Sequence, residues 1–173
     1  MSKMLTTQLT GVFHRLESQS LDIQMAAQSL IQAIGGEGHI YVKGYGDLKH
    51  FENYIVESSE QLKSSQTLDS LHSFDQLDST DRILLFSPYF DEAIQQDLTQ
   101  LLNDDRDVVV ITNKSKDTTL PDHLVHFVDL STPRPIVYTE DFEKVVTPHI
   151  ISMGYIYYEI YTQMVEMITD LEL

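Results

Sequence analysis

Two apolar runs, "ILLF" at 83–86 and "VVVI" at 108–111, constrain this chain more than any other feature. Neither alternates polar with apolar residues, so a strand built from either must be covered on both faces, as parallel strands packed between helices are. Three more runs repeat the rhythm, "HIYV" at 39–42, "TLDSL" at 67–71 and "HFVDL" at 126–130, each closing in polar turn residues. The stretches between them read as helical, and "YFDEAIQQDLTQLLNDD" sets Ala93, Ile94, Leu98, Leu101 and Leu102 on one side and acids on the other. The pattern predicts an α/β fold: a three-layer α/β/α sandwich with about five parallel strands in flavodoxin-like order.

Helices flank this region. Residues 4–34 carry apolar side chains at three- and four-residue intervals, with a break predicted at "ESQS" (17–20) and a stop at Gly35 and Gly36, in the left-handed geometry glycine adopts cheaply. Thr147 before Pro148 predicts a hydroxyl cap and the start of a final helix. One domain over 1–173 is expected, with a helical segment at 1–36, a sheet region at 37–146 and a C-terminal helix at 147–173. The last helix is apolar on more than one face. One face fits the sheet; the other fits either a second subunit, giving a homodimer or higher homo-oligomer, or the N-terminal helix of the same chain.

Composition removes several functions. A formal net charge of -16 opposes binding to nucleic acid or anionic lipid, which rests on clustered lysine and arginine. The chain has no cysteine, so disulfides, thiolate metal sites and cysteine nucleophiles are absent together. The N-terminus lacks the apolar core of a secretory signal, and the apolar tract 150–168 is interrupted by Ser152, Glu159, Thr162, Gln163 and Glu166. A cytoplasmic location is expected, with neither nucleic acid nor membrane as partner.

In an open parallel sheet, ligands bind past the carboxyl ends of the strands, where strand order reverses. Those ends offer Gly44, Tyr45, Gly46 and Asp47 after the first run, Ser87, Pro88, Tyr89 and Asp91 after the third, and Thr112, Asn113 and Lys114 after the fourth. Of the 11 basic residues, Lys43, Lys49, Lys114, Lys116 and Arg134 lie in or beside segments expected at that edge, which suggests an anion site in an acidic protein. Gly44-Tyr45-Gly46 lacks the third glycine of a dinucleotide fingerprint, and no P-loop is present. His50 and Glu57 fall on one face of the helix after the first turn, where they could serve as base and donor for a proton transfer beside a carbonyl.

From about 4 to 168 the order of pieces resembles the SIS (sugar isomerase) domain family. "GHIYVKGYGDL" is similar to that family's first strand and Gly-x-Gly turn, "TDRILLFSPYFDEAIQQDLTQLL" to its third strand, ligand loop and helix, and "DRDVVVITNK" to its fourth strand. The resemblance implies binding of a sugar or sugar phosphate, and catalysis of the aldose–ketose isomerase type found in phosphoheptose isomerases. The alternative is a member without catalysis, a sensor or a dimeric interaction module. "HF" at 50–51 aligns with a metal-binding histidine of those enzymes, but Tyr54 stands where a glutamate is expected, and His149 matches a later histidine loosely. In "SPYFDE", Pro88 removes an amide donor and Asp91 brings a negative charge to a loop that usually wraps phosphate. The expected ligand-binding set is Gly44, Tyr45, Gly46, Asp47, Lys49, Ser87, Tyr89, Asp91, Thr112 and Lys114. The expected catalytic set is His50, Glu57 and His149. No cofactor or metal is assigned, and zinc has no supporting motif.

Overall fold

The computed structural model describes residues 2–173. Helices α1 (Ser2–Glu17) and α2 (Ser20–Gly35) precede a sheet whose strands are β1 (Ile40–Gly44), β2 (Ser65–Thr67), β3 (Arg82–Tyr89), β4 (Val108–Asn113) and β5 (His126–Asp129). Helix α3 (Phe51–Glu57) follows β1, and α4 (Glu92–Asn103) follows β3. A small hairpin, β6 (Val137–Tyr138) with β7 (Lys144–Val145), leads to the last helix, α5 (His149–Asp170). All five sheet strands are parallel in the order β2-β1-β3-β4-β5, the flavodoxin-like arrangement, so strand order reverses between β1 and β3.

The unbroken apolar runs are buried on both sides. Leu84, Phe86, Val109 and Ile111 join Ile40 and Val42 in a core closed by α1, α2, α3 and α5. Their neighbours Ile83, Leu85, Val108 and Val110 point the other way, against Ile94, Leu98 and Leu101 of α4. Period-two alternation thus divides the strands between two cores rather than between core and solvent.

The N-terminal helix does break at 17–20. Gln19 holds the break on the end of β5: its side-chain amide donates to Asp129 O (2.8 Å) and its Oε1 accepts the Asp129 N–H (2.8 Å). The stop after α2 differs from expectation. Gly36 has φ -92, and the left-handed residue is Glu37 at φ 59. Glycine is needed at 38 for close approach, since a Cβ there would lie 2.6 Å from the Thr80 carbonyl oxygen.

Three other expectations change. The second strand is Ser65–Thr67, sharing only Thr67 with "TLDSL", because Leu68–Ser70 coils into a 3₁₀ turn that buries Leu68. Residues 114–125 form a loop rather than a helix, as "KSKDTTLPDHLV" offers no repeating apolar stripe. Helix α5 begins at His149 with Pro148 as its cap residue, and the His149 N–H donates to the Thr147 carbonyl (2.9 Å) rather than to its hydroxyl. On α5, Ser152, Met153, Ile156, Tyr157, Ile160 and Met164 are buried, while Ile150, Ile151, Tyr158 and Val165 remain exposed. Among the described residues, no helix is long and apolar enough to cross a membrane.

Candidate functional site

The loops after β1 and β3 meet at the reversal point. Gly44 is pinned there: its N–H donates to Glu52 Oε2 (2.8 Å), and a Cβ would stand 2.7 Å from both the Leu48 carbonyl oxygen and Phe86 Cε2. The Tyr45 N–H donates to Phe86 O (3.0 Å), and Gly46, at φ +54, lies against Pro88, with a Cβ position 3.5 Å from the proline Cδ. Close approach therefore accounts for glycine at 44, and the left-handed backbone accounts for it at 46.

The two lysines beside this turn are engaged. Lys43 Nζ lies 2.8 Å from Asp97 and 3.2 Å from Asp69, while Lys49 Nζ lies 3.0 Å from Glu52 and 2.7 Å from Asp69. Tyr45 donates its hydroxyl to Asp97 (2.6 Å). Hydrogen bonding from Lys49, then Lys43, holds the Asp69 carboxyl below its usual range despite some burial. Burial and the Asp97 carboxylate push the Tyr45 phenol well up. This chain of alternating charges ties β1, α3, α4 and the turn after β2 together.

Proline decides the shape of the next loop. Pro88 has no N–H to give to β4, and the pairing of the strands slips between Ser87 and Tyr89. Ser87 is fully buried and donates its hydroxyl to Tyr89 O (2.6 Å); Asn113 Nδ2 donates to Pro88 O (2.7 Å). The bulge turns Tyr89 outward, leaving it 47% exposed. Asp91 caps α4, its Oδ1 accepting the Ile94 N–H (3.4 Å). Thr112 is fully buried, with no hydrogen-bond partner for its hydroxyl among the described residues.

One strand further along the edge, a hollow of about 330 Å³ opens between Tyr89 and Phe90 on one side and Asn113, Lys114, Ser115 and Thr118 on the other, with Pro133 at its end. The Ser115 and Thr118 hydroxyls lie 2.7 Å apart. Lys114 is exposed and has no carboxylate partner among the described residues. An aromatic face, paired hydroxyls and a free ammonium group together can hold a polar, hydroxylated anion.

His149 stands behind this wall. Its Nδ1 is 2.9 Å from Thr132 Oγ1 and 3.4 Å from Asn113 Nδ2, and its ring meets Tyr89 edge-on at 5.3 Å. Burial holds the imidazole below its ordinary pKa, partly countered by the negative charge of Asp47. A neutral ring accepting at Nδ1 carries its proton on Nε2. Thus Asp47, Tyr89, Asn113, Lys114 and His149 share one neighbourhood. His50 is exposed at the start of α3, and Glu57 is exposed at the far end of that helix, about 10 Å along its axis. Among the described residues, no three His, Asp or Glu side chains are grouped as a metal site would require.

Glu52, Asn113 and Thr132 are the organising polar residues that spacing alone did not single out. Glu52 carried a usable signal, a carboxylate at 5% exposure between Phe51 and Ile55 on the inward face of α3. Asn113 carried only its position at the end of β4. The reciprocal bond in which Thr132 N–H donates to Asn113 Oδ1 (2.8 Å) depends on a residue 19 positions later.

A five-stranded parallel sheet in this order, preceded by two helices and closed by a long one, is an α/β/α sandwich consistent with a SIS-like fold. The chain belongs to the family described as "Domain of unknown function (DUF2529)", whose profile matches residues 1–168. It is 26% identical over 173 residues to "Uncharacterized protein YwjG" of Bacillus subtilis (strain 168), covering 98% of this chain and 99% of that one. In structure it is similar to a crystal structure described as a "putative phosphosugar isomerase involved in capsule formation" from Bacteroides fragilis NCTC 9343. That likeness has a TM-score of 0.65 at 17% identity and covers 98% of this chain and 92% of the other; it establishes the fold.

Proposed function

We propose that this protein binds a phosphorylated sugar, or a related carbohydrate derivative, in the hollow between the β3 and β4 loops. The observation that carries the reading is the hollow itself: Tyr89 supplies a flat face for a sugar ring, Ser115 and Thr118 supply hydroxyl partners, and Lys114 supplies the positive charge. The SIS-like fold supports it by analogy, since the structural neighbour is described as a phosphosugar isomerase. The hollow, rather than the turn at 44–49, is the better seat for the phosphate, because Lys43 and Lys49 are bound to carboxylates.

The test is thermal unfolding with fructose, glucosamine and sedoheptulose phosphates, with the free sugars and inorganic phosphate as controls. A ligand at a hundred times its dissociation constant adds about 2.7 kcal/mol. The shift should vanish in a Tyr89→Ala, Lys114→Ala double variant. No shift with any sugar phosphate, or one that survives this variant, overturns the reading.

A second reading, aldose–ketose isomerisation of phosphoheptose isomerase type, is favoured by His149. With Nδ1 accepting and the proton on Nε2, which makes no hydrogen bond to the protein among the described residues, the neutral imidazole can supply the donor that stabilises an enediolate oxygen. Interconversion that His149→Gln abolishes without weakening binding supports this reading; binding without interconversion leaves the sensor reading. We also infer a homodimer through the outward face of α5, where Ile150, Ile151, Tyr158 and Val165 are exposed.

A further inference from the structure

Beyond the sugar hollow, on the other side of Pro133, lies a larger depression of about 490 Å³ that the reading above does not use. Three separate parts of the fold build it: Arg15 from α1, Arg134 from the segment after β5, and Lys144 from the hairpin. In a chain with 11 basic and 27 acidic residues, three cations around one depression are a concentration that needs a reason. None of the three has a carboxylate within 4.0 Å among the described residues, whereas Lys43, Lys49 and Arg82 all do. The nearby acid Asp129 is occupied: its Oδ1 accepts the Ser131 N–H (2.9 Å).

The depression is also held in shape. Arg15 Nη2 donates to Ser131 O (3.1 Å), and Gln19 Nε2 reaches Ser131 Oγ (3.3 Å), fixing a non-glycine residue in the left-handed region at φ 60. Tyr138 and the two prolines, Pro133 and Pro135, give it rigid apolar walls, and the Lys144 ammonium group lies 5.1 Å from the Tyr138 ring centroid. An anion seated among these three exposed cations would gain charge-assisted hydrogen bonds from separate parts of the fold.

The geometry points to a second anion site here, formed by Arg15, Arg134 and Lys144 and suited to a small molecule carrying a phosphate or diphosphate group. The negative charge of the whole chain opposes a nucleic acid strand. The volume suits a nucleotide or sugar bisphosphate, and the two share the same charged chemistry. This site is independent of the hollow at Tyr89 and Lys114, so either can fail without the other.

The experiment is calorimetric titration of the intact protein at low salt with pyrophosphate, a nucleoside diphosphate and a sugar bisphosphate; the last two separate the possible sources of the group. Arg134 and Lys144 make no side-chain hydrogen bond within the fold among the described residues, so Arg134→Gln with Lys144→Gln tests binding without disturbing the Ser131 anchor. Pyrophosphate should bind the wild type, and its dissociation constant should rise at least about tenfold in that double variant, because each lost cation removes a charge-assisted hydrogen bond. It should be unchanged in Tyr89→Ala, Lys114→Ala. Binding that survives loss of Arg134 and Lys144, binding lost instead with Lys114, or no binding of any of the three probes overturns the proposal.

Discussion

Glu52 offers the sharpest test of how the ligand edge is built. Its carboxylate is 5% exposed and accepts from both the Gly44 N–H at 2.8 Å and Lys49 Nζ at 3.0 Å. In Glu52→Ala the Gly44 amide is stranded in a site closed by Leu48 and Phe86, at a cost of about 1–3 kcal/mol. The lost methylene group adds about 0.8 kcal/mol. Lys49 is half-exposed and keeps Asp69 at 2.7 Å, so its broken pair adds only about 0.5 kcal/mol. The expected loss is about 2–4 kcal/mol for alanine, against about 1 kcal/mol for glutamine, which keeps the volume and a neutral acceptor. Urea unfolding should resolve that gap, and melting temperatures should differ by about 4–8 °C between the two variants in a chain of this size. Two variants melting within about 1 °C of each other would refute the assignment of Glu52 as the acceptor that anchors the turn.

Gly44→Ala forces a Cβ to 2.7 Å from a backbone oxygen and should cost about 1–3 kcal/mol in chemical unfolding; a neutral result would mean the β1 and β3 loops pack less closely than described. His149, whose folded pKa is depressed by burial, contributes stability that is complete above the unfolded value of about 6.5 and is lost as pH falls below it. Melting temperature between about pH 7 and 5 should therefore fall less steeply in His149→Gln, and equal slopes would sink the point. The α5 homodimer predicts twice the chain mass in light scattering and a monomer for Ile151→Lys; a wild-type monomer refutes it.

What the sequence disclosed tracks how local each cause is. The β3 and β4 runs announce themselves because burial on both faces leaves no polar position, and the break at 17–20 is visible in four polar residues. Strand β2 was displaced in the sequence reading because three residues paired along one side of β1 carry no periodicity of their own. The hairpin went unread for the same reason: its strands have two residues each. At the site, position was easier to read than role. Ser87, Thr112 and Gly44 do stand at strand ends, but whether a hydroxyl faces outward depends on the Pro88 bulge and on Asn113, which acts across the strand. Arg15 could not be read as lining the depression beside Arg134 and Lys144 at all, since 116 residues separate it from Ser131, the partner that brings it there.

The sheet's outer strands, β2 and β5, have three and four residues, while β3, with eight, lies in the middle. A long flat border would offer a ladder of unpaired amides to any neighbouring chain, and these borders are too brief to template such growth. Fibril formation should therefore begin from molecules that have opened far enough to release "ILLF" and "VVVI", so resistance to aggregation in this protein follows from how rarely its centre opens.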